Sequence, residues 1–178
     1  VTPNAFERVM AEIVHALVGR LGACYGAMYD RLLDIAGPAL DLIELPGDDF
    51  AGNNGPIISP AMFDTYFKQP YTQLIGRIKA RAPHVKVIYH SDGAIAPFLA
   101  RLIEIGADVV HPVEPLPATD MAAVKAGFGA RISFMGGIDI RKTMQGPEAG
   151  IVDEVKQRVG QLAPGGGYIL APANHLQA

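Results

Sequence analysis

Apolar side chains recur at three- and four-residue steps through Phe6, Val9, Ile13, Leu17, Leu21, Tyr25, Met28 and Leu32, the period of one helix face. The spacing predicts a helix over residues 3–36, with Thr2 as N-cap and Pro3 in the first turn. Gly37-Pro38 stops it, while Gly19, Gly22 and Gly26 weaken its middle enough for a bend or a break. From Asp41 the period shortens. Residues 41–45 (DLIEL) read as a short strand ended by Pro46-Gly47, and a polar, glycine-rich loop follows to Pro56. Ser59-Pro60 then opens a helix reaching Arg81 on a stripe of Met62, Phe63, Phe67, Tyr71, Leu74 and Ile78. Pro70 falls inside that stripe and is expected to kink or split the helix.

The stretch KVIYHSDG (86–93) organises the rest of the chain. Val85, Val87 and Ile88 have the composition of a strand buried on both faces. His90, Ser91 and Asp92 end it, and Gly93 turns the chain into a short helix over 94–102. The same grammar recurs. Strand 107–110 (ADVV) ends in His111, Pro112, Val113 and Glu114, and a helix over 119–126 is capped by Thr119 or Asp120. Strand 131–135 (RISFM) ends in Gly136, Gly137, Ile138 and Asp139, ahead of a helix over 147–162. Strand 168–170 (YIL) ends in Ala171 to His175. Strands alternating with helices predict an α/β fold with parallel βαβ units. Chemistry at every strand end favours a barrel over a doubly wound sheet, which concentrates its chemistry at one switch point beside a G-x-G-x-x-G loop that this chain lacks. The expected architecture is a partial (β/α)8 TIM barrel of about five strands.

Composition narrows the class. The 178 residues are expected to form one domain, and a formal charge of −3 argues against nucleic acid or an anionic membrane as the main partner. No apolar run reaches the roughly 20 residues that span a bilayer, and VTPNAFERVM has no signal-peptide pattern, so a cytoplasmic location is expected. Cys24 alone can build neither a disulfide framework nor a thiolate metal site, and is expected as a small buried side chain. The chain opens on Val1, as an excised or processed piece would.

PGDDFAGNNGPIISPAMF (46–63), VIYHSDGAIAPFLARLIEIGADVVHPVE (87–114), FMGGID (134–139) and APGGGYILAPANHLQ (163–177) together resemble the uroporphyrinogen decarboxylase superfamily. The resemblance covers the chain from about Asp41 onward and is expected to take in the leading helix too. It implies that residues 1–178 are the C-terminal portion of a (β/α)8 barrel, cut at both ends. It also implies one of two chemistries. Decarboxylases of the family remove carboxylates from the acetate arms of a tetrapyrrole without a cofactor, and their relatives move methyl groups between corrinoid proteins and thiols on zinc. The zinc is held by a His-x-Cys pair and a later cysteine. Here His90 matches the histidine, but Asp92 and Asn174 stand at the two cysteine positions. Thiolate zinc needs soft ligands, so neither metal nor other cofactor is expected. The decarboxylase's essential arginine and aspartate belong to the family's N-terminal part, upstream of Val1.

Candidate catalytic residues are Asp48, Asp49, His90, Asp92 and His175, and candidate substrate-binding residues are His111, Glu114, Asp139 and Asn174. Asp48 and Asp49 form a carboxylate pair of which extended backbone would aim one into the pocket. Asp92, two residues beyond His90, lies on the same side of the strand and can orient the imidazole. His111 and Glu114 come within reach from the next strand. Asp139 reads equally as a helix cap. Arg77, Lys79 and Arg81 read as a solvated helix C-terminus. Three functions compete: a decarboxylase-like lyase acting on a tetrapyrrole, a methyltransferase acting on a methylated small molecule with a corrinoid protein as partner, and an inactive half-barrel or assembly partner. A homo-oligomer or a longer chain is expected, because the outer strands DLIEL and YIL carry no device that protects a sheet edge.

Overall fold

The computed structural model describes residues 5–176. The elements run α1 (Ala5–Ala36), β1 (Leu42–Glu44), β2 (Ala51–Gly52), β3 (Gly55–Pro56), α2 (Pro60–Tyr66), α3 (Lys68–Arg81) and β4 (Lys86–His90). They continue with α4 (Leu99–Glu104), β5 (Val109–Val113), α5 (Met121–Phe128), β6 (Ser133–Ile138), α6 (Glu148–Leu162) and β7 (Tyr168–Pro172). Five strands pair in parallel in the order β1-β4-β5-β6-β7 and curl into half of a barrel. β2 and β3 form a two-residue antiparallel hairpin inside the polar loop after β1.

The two faces of the sheet differ. Ile43, Val87, Tyr89, Val110 and Phe134 point to the helices and are buried with Ile75, Ile78, Leu102 and Leu162. Glu44, Ile88, His90, Val109 and His111 alternate with them on the concave face, because side chains on a strand switch sides at each residue. Phe50 is the anchor of the polar loop. It is 4% exposed and packs against Phe63, Phe67, Tyr89 and Phe98, with ring centroids 4.9–6.2 Å apart.

Several expected elements shift. The Thr2–Pro3 cap lies outside the described residues. α1 runs as a single helix through Gly19, Gly22 and Gly26. Its apolar stripe lies open for most of its length: Tyr29 and Leu33 are buried, whereas Phe6, Ile13 and Leu17 are more than half exposed. Cys24 is exposed too, because its side of α1 is uncovered. The helix expected over 59–81 is two, divided at Phe67. Pro70 has no N–H for the Tyr66 carbonyl, so it sits in the first turn of α3 instead. The segment after Gly93 forms a 3-10 turn at Ala96–Phe98 before α4. β5 and β6 extend further than expected, so His111, Gly136 and Gly137 lie within strands. Arg77 and Arg81 are not a merely solvated end of α3. They pair with Asp30 and Asp34 of α1, and Lys79 pairs with Asp108.

Candidate functional site

The parallel sheet brings the C-terminal ends of all five strands to one rim, and most of the expected residues meet there. His90 and His111 are register partners on β4 and β5, with their Nδ1 atoms 3.0 Å apart. Glu44, the last residue of β1, places Oε1 3.6 Å from His90 Nδ1. On the other side of the ring, His90 Nε2 lies 3.5 Å from Asp92 Oδ1. The Asp92 backbone N–H donates to Asp49 Oδ1 at 2.8 Å. Asn174, beyond β7, donates from Nδ2 to Asp92 Oδ2 at 2.6 Å.

A second group adjoins the first. Glu114 is buried and accepts from the Gly93 N–H at 2.9 Å and from Arg141 Nη2 at 2.8 Å. Arg141 also donates to Asn53 of the β2–β3 hairpin, and Asp139 Oδ1 accepts from the Arg141 backbone N–H. Gly93 is required where it stands. Its φ of +88° is one that side chains rarely adopt, and a Cβ there would come within 2.3 Å of the Ala51 carbonyl oxygen. The hairpin and the end of β4 therefore close on each other.

Burial tunes these groups. It raises the Asp92 carboxyl above the usual carboxylate range, with Asp49 and Glu114 adding to the effect and His90 and Asn174 opposing it. His111 is lowered, first by burial and then by His90. Tyr71 is raised by burial and by Asp48, which accepts a hydrogen bond from its hydroxyl, and the fully buried Tyr89 is raised by burial and by Tyr71.

The structure separates Asp48 from Asp49. Asp49 joins the histidine cluster, whereas Asp48 turns to Tyr71 and lines an apolar cavity of about 250 Å3 between α1 and α3 with Leu17, Leu21, Tyr25 and Leu74. His175 is exposed and touches this network through its backbone N–H, which donates to Asn174. Glu44, Asn53, Tyr71 and Arg141 were not singled out from the sequence. Glu44 carried a signal, since it ends a strand whose side-chain alternation puts it on the concave face. Arg141 carried none, because it enters from a turn two residues beyond Asp139.

The uroporphyrinogen decarboxylase (URO-D) family profile matches residues 9–177. The chain belongs to that family. Among solved structures, a methyltransferase from Methanosarcina mazei is similar in fold, with a TM-score of 0.58 and 21% identity over 78% of this chain and 37% of that one. The URO-D chain thus spans little more than a third of that structure's length. No curated protein matches it. The thiolate zinc of the family's methyltransferases does not fit here. The side chains at the two cysteine positions, Asp92 and Asn174, are oxygen and amide groups hydrogen-bonded to each other. Among the described residues, no helix is long and apolar enough to cross a membrane.

Proposed function

We propose that this URO-D domain supplies the strand-end half of a methyl-transfer site for a neutral or cationic methylated small molecule, with a corrinoid protein taking the methyl group. The observation that carries this reading is the charge of the rim. Glu44, Asp49, Asp92, Glu114 and Asp139 converge there with the Arg141 guanidinium, which is already paired to Glu114. A tetrapyrrole bearing carboxylates would meet carboxylates. Like charges about 4 Å apart repel by about 1 kcal/mol in water and about 4 kcal/mol near a protein surface. A quaternary amine or an aryl methyl ether meets no such penalty, and the fold is one that a methyltransferase shares.

Within this chain the decarboxylase reading would draw on Arg141 as an added clamp for substrate carboxylates, the family's essential arginine belonging to its N-terminal part. Its Nη2 bonds Glu114, its Nη1 bonds Asn53 and its Nε lies 3.6 Å from Asp139. Few of its donors remain for a substrate.

The full-length gene product is tested in two assays. One follows carbon dioxide release from uroporphyrinogen, and the other follows methylation of reduced cobalamin protein by quaternary amines and aryl methyl ethers, read from the cobalamin spectrum. Methylation without decarboxylation is expected, falling at least tenfold in Asp92→Asn. Decarboxylation that is lost in Arg141→Ala would overturn the reading, and so would the absence of both activities.

A further inference from the structure

The rim holds a second donor set that shares only His90 with the thiolate zinc pattern. Glu44, His90 and His111 come from three neighbouring strands and lie on the same concave face. One ligand atom from each lies within 4.8 Å of the others. Two imidazole nitrogens and a carboxylate oxygen are borderline-to-hard donors, the set that suits a divalent cation without thiolates.

His90 Nε2 faces Asp92 Oδ1 at 3.5 Å, and that oxygen is buried with no hydrogen-bond partner. The Pro172 backbone carbonyl is a hydrogen-bond acceptor for His111. The two Nδ1 atoms lie 3.0 Å apart, a spacing that one shared proton or one cation held by both rings can occupy. The spacing also matches: tetrahedral donors at zinc–nitrogen bond lengths sit roughly 3.3 Å apart, and the His90–His111 and His90–Glu44 separations, 3.0 and 3.6 Å, bracket that value.

We propose that Glu44 Oε1, His90 Nδ1 and His111 Nδ1 bind one divalent cation of the zinc class, leaving a fourth position open to solvent or substrate. Asp92 orients His90 from behind, as carboxylates commonly do for metal-bound histidine. The expectation of a metal-free chain rested on the missing thiolates at positions 92 and 174, and this set uses neither position as a ligand. The site does not depend on which reaction the enzyme runs.

The test uses the full-length gene product, stripped with chelator and reloaded with zinc or cobalt(II). About one zinc per chain is expected, and its X-ray absorption fine structure should show nitrogen and oxygen neighbours with two imidazoles and no sulfur. The cobalt form should give the absorption of a four- or five-coordinate ion. Glu44→Gln and His111→Gln should each weaken zinc binding by at least tenfold, with circular dichroism of the metal-free variants unchanged. The wild-type absorption experiment stands even if a variant fails to fold. Zinc well below one per chain, sulfur among the ligands, or binding that depends on Asp49 and not on Glu44 or His111 would each overturn the proposal.

Discussion

Glu154 shows how a single residue fixes a strand end from below. On α6, it is buried and accepts from Arg158 Nη2 at 2.7 Å and from the Asp139 backbone N–H at 3.1 Å, while Arg158 Nε donates to the Gly137 carbonyl at 3.0 Å. Both side chains are nearly enclosed, 8% and 13% exposed. Removing one partner of such a pair strands the other charge, at a cost of about 3–5 kcal/mol. Glu154→Ala should therefore lose about that much stability in urea unfolding followed by circular dichroism. The double variant Glu154→Leu with Arg158→Met should lose clearly less, and equal losses would show that packing rather than the unpaired charge is at stake. Neither residue stood out in the sequence. Glu154 and Arg158 share the charged pattern of any exposed helix face, and only the packing of α6 under β6 turns them inward. His90 with Asp92 was legible because alternation along a strand fixes which side chains share a face. Arg141 and Asn53 were not, since their meeting at the rim depends on two loops of distant origin.

At the level of elements, α1 is held by burial of Tyr29 and Leu33 and by ion pairs on its exposed side. Asp30 bonds Arg77 Nε at 2.9 Å and also meets Arg81, and Arg81 pairs with Asp34. Hydrogen bonding from Arg77, followed by that from Arg81, lowers the Asp30 carboxyl to about 2 in spite of an opposing desolvation effect. A carboxyl lowered on folding stabilises the fold above its unfolded value near 4. That contribution is lost as pH falls through about 2. Asp30→Asn should thus melt below the wild type at neutral pH, the two curves should converge between about pH 4 and pH 2, and raised salt should narrow the gap. A gap that persists unchanged at pH 2 would show that Asp30 acts through packing. The periodicity of α1 announced a helix plainly, but not which part of its stripe is covered. Tyr29 and Leu33 find the core, with the Tyr29 hydroxyl donating to the Glu44 carbonyl at 2.8 Å. The boundaries of β5 and β6 were displaced for a related reason. Proline and glycine read as strand ends in sequence, whereas parallel pairing between β5 and β6 carries both strands past them, with a register shift between Val110 and Val113.

For the molecule as a whole, the governing feature is a sheet that, among the described residues, has two open edges. β1 pairs with β4 on one side and β7 with β6 on one side, so each presents a row of backbone N–H and C=O groups outward. Such rows template pairing with another strand unless charge, proline or a bulge blocks them. β7 has Pro172 only at its last position, and β1 has none. Beside the edges, Leu42, Ile169 and Leu170 are between a third and a half exposed on strands of core composition. Apolar surface of this kind gains about 25 cal/mol per Å2 on burial, which adds to the backbone pairing. The stripe along α1, open at Phe6, Ile13 and Leu17, offers a third such surface. The isolated 178-residue chain should therefore associate at micromolar concentration, and sedimentation velocity should show species heavier than 18.9 kDa whose share grows with concentration. Because the attraction is apolar and backbone-driven, added salt should not disperse them. Lysine placed on the outer strands, as Leu42→Lys with Ile169→Lys, should reduce association if the edges carry it. Loss of association in Leu17→Lys alone would assign it to α1 instead. A monodisperse monomer that unfolds cooperatively would show that these edges are protected by the curl of the sheet itself.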